Sequence, residues 1–385
     1  MKSLNSEQFI FLIDSRGIIT SKNPETFDRH LNYAKRLKES SPNSHLYIIS
    51  AVSDAQARLH SGDLIQEFIK SNKRVSLKYI IDSISVIKSV NSNHVVLVAG
   101  DPWEAGLNSR IIRYLLRSNI GRRIPIQMQV HADITDDNWK KRSLINLFRV
   151  KFGRINLKSA DQIRAVSNSS SQEIISKFKI DSKKVIVLPV VLNIEDEINP
   201  IYLADRPRSI GFAGRFHADR GLEDFILYVT KLSSLDPEIS IVLAGEGPDL
   251  KKFLSRLQTL VPPNRVEYLG HLQKDEMQTF WSKVGVYVST AKSESYGRSI
   301  RESAFFGIPV LGVKSGGFTE LKAVNVNWIE ELNIHEDAEF LVEQVSRLMK
   351  STTTDSVREL LTSESRSNAG ILVDSWLRLM PKSNF

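Results

Sequence analysis

From residue 9 almost to the end of the chain, short β-branched and aromatic runs alternate with longer stretches of helical period. That rhythm constrains the fold more than any other feature. Strands separated by one helix pair in parallel, and the intervening helices must cover both faces of the sheet. The first half predicts strands over 9–14, 46–50, 95–98, 126–131, 163–166 and 185–188; the second half predicts them over 209–213, 240–244, 266–269, 284–289 and 309–313. Helical patterns fill the gaps, as over 221–235, 275–283 and 337–350. A last helical pattern over 360–380 carries Trp376 among Ile371, Leu372 and Leu377.

A chain of 385 residues exceeds what one hydrophobic core usually serves. Residues 189–208 hold three prolines and the acidic run Glu195-Asp196-Glu197 without strand or helix period, and are expected to connect two α/β domains. The division predicted is a Rossmann-like domain over 1–190, a second over 191–365, and a terminal helix over 366–385 that crosses back to pack on the first. Cysteine is absent, which excludes disulfides and thiolate metal sites and fits a reducing cytoplasm. The apolar run at the N-terminus is too short for a secretory signal, and no stretch approaches the roughly 20 apolar residues of a membrane span.

In open parallel sheets ligands gather where strands end and helix N-termini point outward. The strand 209–213 runs straight into Gly214-Arg215-Phe216-His217-Ala218-Asp219-Arg220-Gly221. Glycines at both ends permit a tight turn and a close approach to a ligand, and two arginines suit a diphosphate because guanidinium groups grip phosphate oxygens in pairs. Two solvated loop arginines are the plainer reading. The strand 284–289 leads to Glu294-Ser295-Tyr296-Gly297-Arg298-Ser299-Ile300-Arg301-Glu302, with a helix start near Gly297. Glu294 then precedes the helix and Glu302 lies about one and a half turns inside it, tilted back towards the N-terminus. The helix end would receive phosphate while the carboxylates accept hydrogen bonds from sugar hydroxyls. Surface charge alone would also account for them.

Taken together, GRFHADRG, AGEGP at 244–248, EYLG at 267–270, ESYGRSIRE at 294–302 and GIPVLGVKSGGFTE at 307–320 resemble, in order and spacing, the family 4 (group 1) retaining glycosyltransferases of GT-B fold. The resemblance covers about 110 residues. It implies two Rossmann-like domains facing each other across a cleft, with a nucleoside-diphosphate sugar on the C-terminal one. It assigns Arg215 and Arg220 to the diphosphate, Arg220 standing where the family has lysine. Glu294 falls on the donor sugar and Glu302 on the ribose, and Gly214, Glu246, Ser295, Tyr296, Gly297 and Arg298 fall in the donor site. Thr319 replaces the proline of the family's Gly-Gly-x-Pro-Glu segment.

The first half resembles the family more loosely, through GDPWEAG at 100–106, QVHAD at 129–133 and ADQIRAVS at 160–167. His131 takes the position of a histidine facing the donor sugar, although a lone histidine after a strand is usually structural. Asp101 and Gly17 are candidates for the acceptor side; Asp-Pro often does no more than start a turn. Where many relatives carry a glycine pair after the first strand, this chain reads Asp14-Ser15-Arg16-Gly17.

Charge is uneven. Residues 101–160 hold twelve Lys and Arg against five acids. Arg110, Arg113 and Arg117 share one helical face, and 138–158 mixes bases with Leu144, Leu147, Phe148, Phe152 and Ile155. Two readings stand: amphipathic helices covering a sheet with their charges in water, or a face over 110–158 for an anionic membrane surface. No nucleic-acid-binding motif accompanies the charge, and no nucleic acid is expected as partner.

The resemblance implies transfer of a sugar, with retained configuration, to a hydroxyl of a glycan or lipid-linked acceptor. Such chemistry suits cell-surface polysaccharide or glycolipid synthesis in the cytoplasm or at the inner membrane face. No metal or other cofactor is expected, since the arginines carry the charge and no convincing Asp-x-Asp pair occurs. A sugar-nucleotide epimerase of the same fold and a non-catalytic sugar-nucleotide-binding subunit remain open alternatives.

Overall fold

Alternate residues of the first strand enter two different cores, which is what a sheet covered on both faces requires. Phe9, Phe11 and Ile13 join one cluster of buried side chains, and Ile10 and Leu12 join another. The computed structural model describes residues 7–381 apart from 55, 121–123, 133, 142, 191, 193–205, 274, 325–326 and 352–354. Most of the proposed connection over 189–208, with its acidic run, lies outside the described residues, as do Arg122, Arg123, Asp133 and Arg142.

The chain divides into two compact units, residues 1–191 with 366–385, and residues 192–365. The first contains the strands β1 (Gln8–Asp14), β2 (Ser44–Val52), β3 (Leu59–Ser61), β4 (Leu64–Lys70), β5 (Val95–Ala99), β6 (Ile126–Val130), β7 (Gln162–Ala165) and β8 (Val185–Val187). They form one sheet in the order β3-β4-β2-β1-β5-β6-β7-β8, parallel except for the β3–β4 hairpin. Its helices are α1 (Pro24–Ser40), α2 (Leu77–Ser89), α3 (Glu104–Ile120), α4 (Asp137–Lys141), α5 (Leu144–Ser159) and α6 (Asn168–Phe178). Ser76, Ser143 and Ser167 cap α2, α5 and α6 with their side chains, each satisfying an otherwise orphaned N–H.

The second unit holds β9 (Ser209–Ala213), β10 (Ser240–Ala244), β11 (Val266–Tyr268), β12 (Val286–Ser289), β13 (Val310–Gly312) and β14 (Ile329–Glu331), all parallel, in the order β11-β10-β9-β12-β13-β14. Its helices are α7 (Leu222–Leu235), α8 (Leu250–Leu260), α9 (Met277–Ser282), α10 (Arg298–Phe305), α11 (Gly316–Val324) and α12 (Ala338–Leu348). A final helix, α13 (Asp355–Leu379), starts earlier than the expected 366. Its later turns, with Met380 directly after them, set Ala369, Leu372, Val373, Trp376 and Met380 against Ile10, Leu12, Leu46, Ile48, Val96 and Val98 of the first sheet. The spacing of those five residues is one helical stripe. Trp376 is fully buried, its indole N–H donating to Gln127 Oε1 at 2.7 Å.

Both sheets reverse their winding at a definite place. β1 has β2 on one side and β5 on the other; β9 has β10 on one side and β12 on the other. At such a switch point the connections leave in opposite directions and a crevice opens beyond the strand ends. The loops after β1 and β5, and those after β9 and β12, are therefore the places to look.

Candidate functional site

In the second unit the loop after β9 is built backbone against backbone. Gly245 and Gly247 lie in conformations with φ of +121° and +158°, and a Cβ on either would come within 2.2 Å of the carbonyl oxygens of Gly214 and Phe216. That closeness lets Phe216 N–H donate to Glu246 O at 2.8 Å and Asp249 N–H donate to Phe216 O at 3.0 Å. His217 caps a single 3-10 turn over Ala218–Arg220, and Gly221 ends it with φ +69°. A Cβ on Gly221 would stand 2.1 Å from Thr290 O, so the loops after β9 and β12 touch at that point. Thr290 strengthens the contact by donating its hydroxyl to Arg220 O at 2.9 Å.

Arg220 is thereby delivered to Glu294, with which it forms a hydrogen-bonded ion pair. Desolvation works against the Arg220 charge, and the carboxylate of Glu294 more than offsets it, so the guanidinium pKa lies above its ordinary value. Glu294 also accepts from Gly297 N–H at 3.3 Å, while its own carbonyl receives Gly317 N–H at 2.7 Å. Gly317 must be glycine for that approach, since a Cβ would meet the backbone of Tyr296 at 2.4 Å. Gly297, with φ +72°, is the N-cap of α10 and supplies no side-chain cap. On the helix itself Arg298 pairs with Glu302 at 3.3 Å. Ser295 and Tyr296 are buried, and Arg301 stacks over the Tyr296 ring at 3.9 Å while facing Glu320 at 3.7 Å.

The second unit thus brings Gly214, Arg220, Glu294, Ser295, Tyr296, Gly297, Arg298 and Glu302 onto the two loops and the helix start at its switch point. Arg215 is more exposed and pairs with Asp219 at 2.8 Å on the same loop. Glu246 is exposed on the neighbouring loop, 3.9 Å from the His271 ring. Each arginine already has a carboxylate, so a bound phosphate must share or displace Asp219, Glu294 or Glu302. Asp219, Arg301 and Glu320 stand within the quoted motifs without an assigned role, and Thr290 lies outside them; its contact with Arg220 joins segments 70 residues apart.

In the first unit Gly17, Asp101 and His131 follow β1, β5 and β6, three neighbouring strands of one sheet. Gly17 has φ +61°, and a Cβ there would lie 2.2 Å from Ala51 O, so its first duty is to the turn. Asp101 Oδ1 accepts from the N–H groups of Trp103 and Ala105 at 2.9 and 3.2 Å, and its other oxygen faces Arg16 at 3.5 Å. Burial raises the Asp101 carboxyl to about 6, with Arg16 opposing and Glu104 adding. Glu104 collects Arg16 and Arg149 at 2.8 and 2.7 Å, and both arginines lie over Trp103. This cluster was not foreseen.

His131 Nε2 stands 2.9 Å from Gln129 Oε1, to which Arg164 also donates at 3.4 Å. An oxygen that receives a guanidinium is an acceptor, so Nε2 carries the imidazole hydrogen. Although part of the His131 side chain is exposed, the protein packed around it disfavours the imidazolium, as do Arg164, Arg29 and His30, and the pKa falls well below its ordinary value. His131 is a neutral hydrogen-bonding group near neutral pH.

The basic segment needs correction. Arg110 donates to Asn156 at 2.6 Å, Arg113 to Asp161 at 2.9 Å and to Ser159 O at 3.1 Å. With Arg149 on Glu104, these three bind the unit together and are not solvated charges; Arg117 remains exposed.

Residues 193–365 match the family model described as glycosyl transferases group 1. The match begins and ends within two residues of the second unit's limits. The C-terminal unit belongs to the group 1 glycosyl transferases. Around this group 1 domain, curated relatives include the uncharacterized glycosyltransferase YqgM of Bacillus subtilis, 25% identical over 53% of this chain and 56% of that protein. The phosphatidylinositol N-acetylglucosaminyltransferase gpi3 subunit of Schizosaccharomyces pombe is 22% identical over 44% of this chain and 38% of that one. The chain therefore matches little more than half, or less, of these relatives' length. Among solved structures, Anabaena HepE in complex with UDP and glucose superposes with a TM-score of 0.65 over 96% of this chain and all of that one, at 16% identity. That likeness shows the fold: two Rossmann-like units of the GT-B type, the group 1 domain being the second.

Proposed function

We propose that the protein is a retaining glycosyltransferase that moves a sugar from a nucleoside diphosphate to a hydroxyl of a glycan or lipid-linked acceptor. The observation that carries the reading is the junction of Arg220, Glu294 and the uncapped start of α10 at the switch point of the group 1 unit. HepE, whose structure was solved with UDP and glucose, lends support to a nucleotide-sugar donor.

In this reading the bond from the anomeric carbon to the diphosphate oxygen breaks, and the acceptor oxygen takes its place on the same face. The acceptor proton passes to the departing phosphate. Arg215, Arg220 and the dipole of α10 stabilise the charge that grows on the leaving group, which they can do without a metal. Glu294 holds Arg220 until the donor arrives and then orients the donor sugar hydroxyls; Glu302 turns to the ribose. His131, neutral because burial and its cationic neighbours disfavour the imidazolium, serves in this reading as a hydrogen-bonding group and not as a proton donor.

Release of nucleoside diphosphate from UDP-, GDP- and ADP-sugars, with and without saccharide acceptors, tests this directly. Arg220→Ala should lower turnover about 100-fold, equivalent to roughly 3 kcal/mol of transition-state stabilisation. Glu294→Gln should abolish transfer while nucleoside diphosphate still binds. Product NMR should show the donor's anomeric configuration. An inverted product would remove the retaining assignment, and an inactive wild type that binds sugar nucleotides would favour the non-catalytic subunit.

A further inference from the structure

Helix α5 is turned inside out. The residues that it buries are Asn146, Gly153, Asn156 and Leu157, only one of them a large hydrophobe. Asn146 donates to Trp139 O at 2.9 Å, and Asn156 donates to Pro102 O and Trp103 O at 2.8 and 3.2 Å. Its outer face carries Leu144, Ile145, Leu147, Phe148, Phe152 and Ile155, exposed by 76, 61, 50, 63, 49 and 46%. Single exposed hydrophobes are ordinary, whereas six on one helix form a contiguous patch that water does not favour.

The patch has a charged border. At about 100° per residue, Leu144, Phe148, Phe152 and Ile155 fall within an arc of roughly 80°. Lys151, Arg154 and Lys158 line up along one flank of that arc. The helix contains no acidic residue, and none of these three cations has a carboxylate partner among the described residues.

We propose that this face docks on a membrane surface containing anionic phospholipid. The aromatic and aliphatic side chains enter the boundary between headgroups and acyl chains, and the three cations stay at the level of the lipid phosphates. Charge complementarity selects this occupant. A second copy of the chain, related by a two-fold axis, would bring two basic borders together, and an uncharged apolar partner would leave them unmatched. With 16 residues, three of them outward-facing cations, α5 lies on the surface and does not cross it. No helix among the described residues is long and apolar enough to cross a membrane.

The test is cosedimentation of the full chain with vesicles of phosphatidylcholine alone and of phosphatidylcholine with one-third phosphatidylglycerol. Binding should favour the anionic vesicles at least ten-fold and weaken in 0.5 M salt. Replacing Lys151, Arg154 and Lys158 together by Gln should weaken it about a hundred-fold, at roughly five-fold per cation. Phe148→Ser with Phe152→Ser should abolish it. Both variants should melt like the wild type, because the side chains removed are exposed. Equal affinity for both vesicles, or binding indifferent to either variant, would overturn the proposal. So would dimerisation in sedimentation velocity that Phe148→Ser and Phe152→Ser abolish while no vesicle is bound. The readout is binding alone, so its outcome is independent of whether the protein transfers sugar.

Discussion

Replacing Gly221 by Ala tests whether the two loops of the group 1 unit meet as described. Gly221 has φ +69°, and the new Cβ would stand 2.1 Å from Thr290 O, where ordinary contacts begin beyond 3 Å. The left-handed conformation alone costs an alanine about 1–2 kcal/mol. Relieving the clash requires backbone movement, because the opposing atom is a carbonyl oxygen, and overpacking of this kind costs about 1–3 kcal/mol. Together these predict a loss of roughly 2–5 kcal/mol and a melting temperature lower by about 4–20 °C in a unit of this size. Gly270→Ala is the control: its φ is +80°, but no atom lies within 4 Å of the added Cβ, so only the conformational cost applies. Scanning calorimetry should show a drop for Gly221→Ala at least twice that for Gly270→Ala. Nucleoside diphosphate affinity should fall ten-fold or more in Gly221→Ala, because Arg220 is the preceding residue. Equal melting shifts in the two variants would refute the close approach of the loops after β9 and β12.

Trp376→Ala should remove about 3–5 kcal/mol from the first unit, since the ring is fully buried on the sheet and its N–H is bonded to Gln127; a change below 1 kcal/mol in urea unfolding would contradict that packing. Acid should also destabilise the first unit through its histidines. Burial, chiefly, lowers the pKa of His30 to about 3, against about 6.5 in the unfolded chain. Between those values the unfolded chain binds the extra proton, so stability is lost as pH falls from 6.5 towards 3, by about 1.4 kcal/mol per pH unit for this group. Asp101, raised to about 6, acts in the opposite sense below that pH because the folded state takes up its proton first. His30→Leu should therefore flatten the decline of melting temperature between pH 6.5 and 4.5, and an unchanged decline would exclude His30 as the group responsible.

The strand order of both units rests on residues that announce themselves. Runs such as Phe9–Asp14 and Ser209–Ala213 are buried along their whole length, apolar but for Asp14 and Ser209 at their ends, because parallel strands are covered on both faces. β4 escaped notice because its sequence, LIQEFIK, places Gln66 and Glu67 in its middle; Gln66 is nevertheless fully buried, donating to Ile19 O and to Ser50. β12 starts two residues later than the expected run, and Val284 ahead of it packs against Gly211 of the adjacent strand, where a Cβ would lie 2.5 Å from its methyl carbon. Glu294, Gly297 and Glu302 were legible from spacing around a helix start. The partners of Arg110, Arg113 and Arg149 were not, since Asn156, Asp161 and Glu104 lie 45 or more residues away and only the fold brings them near. Helix α5 shows the limit most plainly: its sequence left open whether the apolar residues cover the sheet or face outward, and in the structure they face outward.

Isothermal titration of UDP, GDP and ADP into the wild type and into the Arg215→Ala, Arg220→Ala double variant bears most directly on the central claim. At least one nucleoside diphosphate should bind the wild type and lose 100-fold or more in affinity in the double variant, with both proteins melting at similar temperatures in its absence. Undiminished binding by the variant would place the diphosphate elsewhere and leave the junction of Arg220, Glu294 and α10 as structure alone.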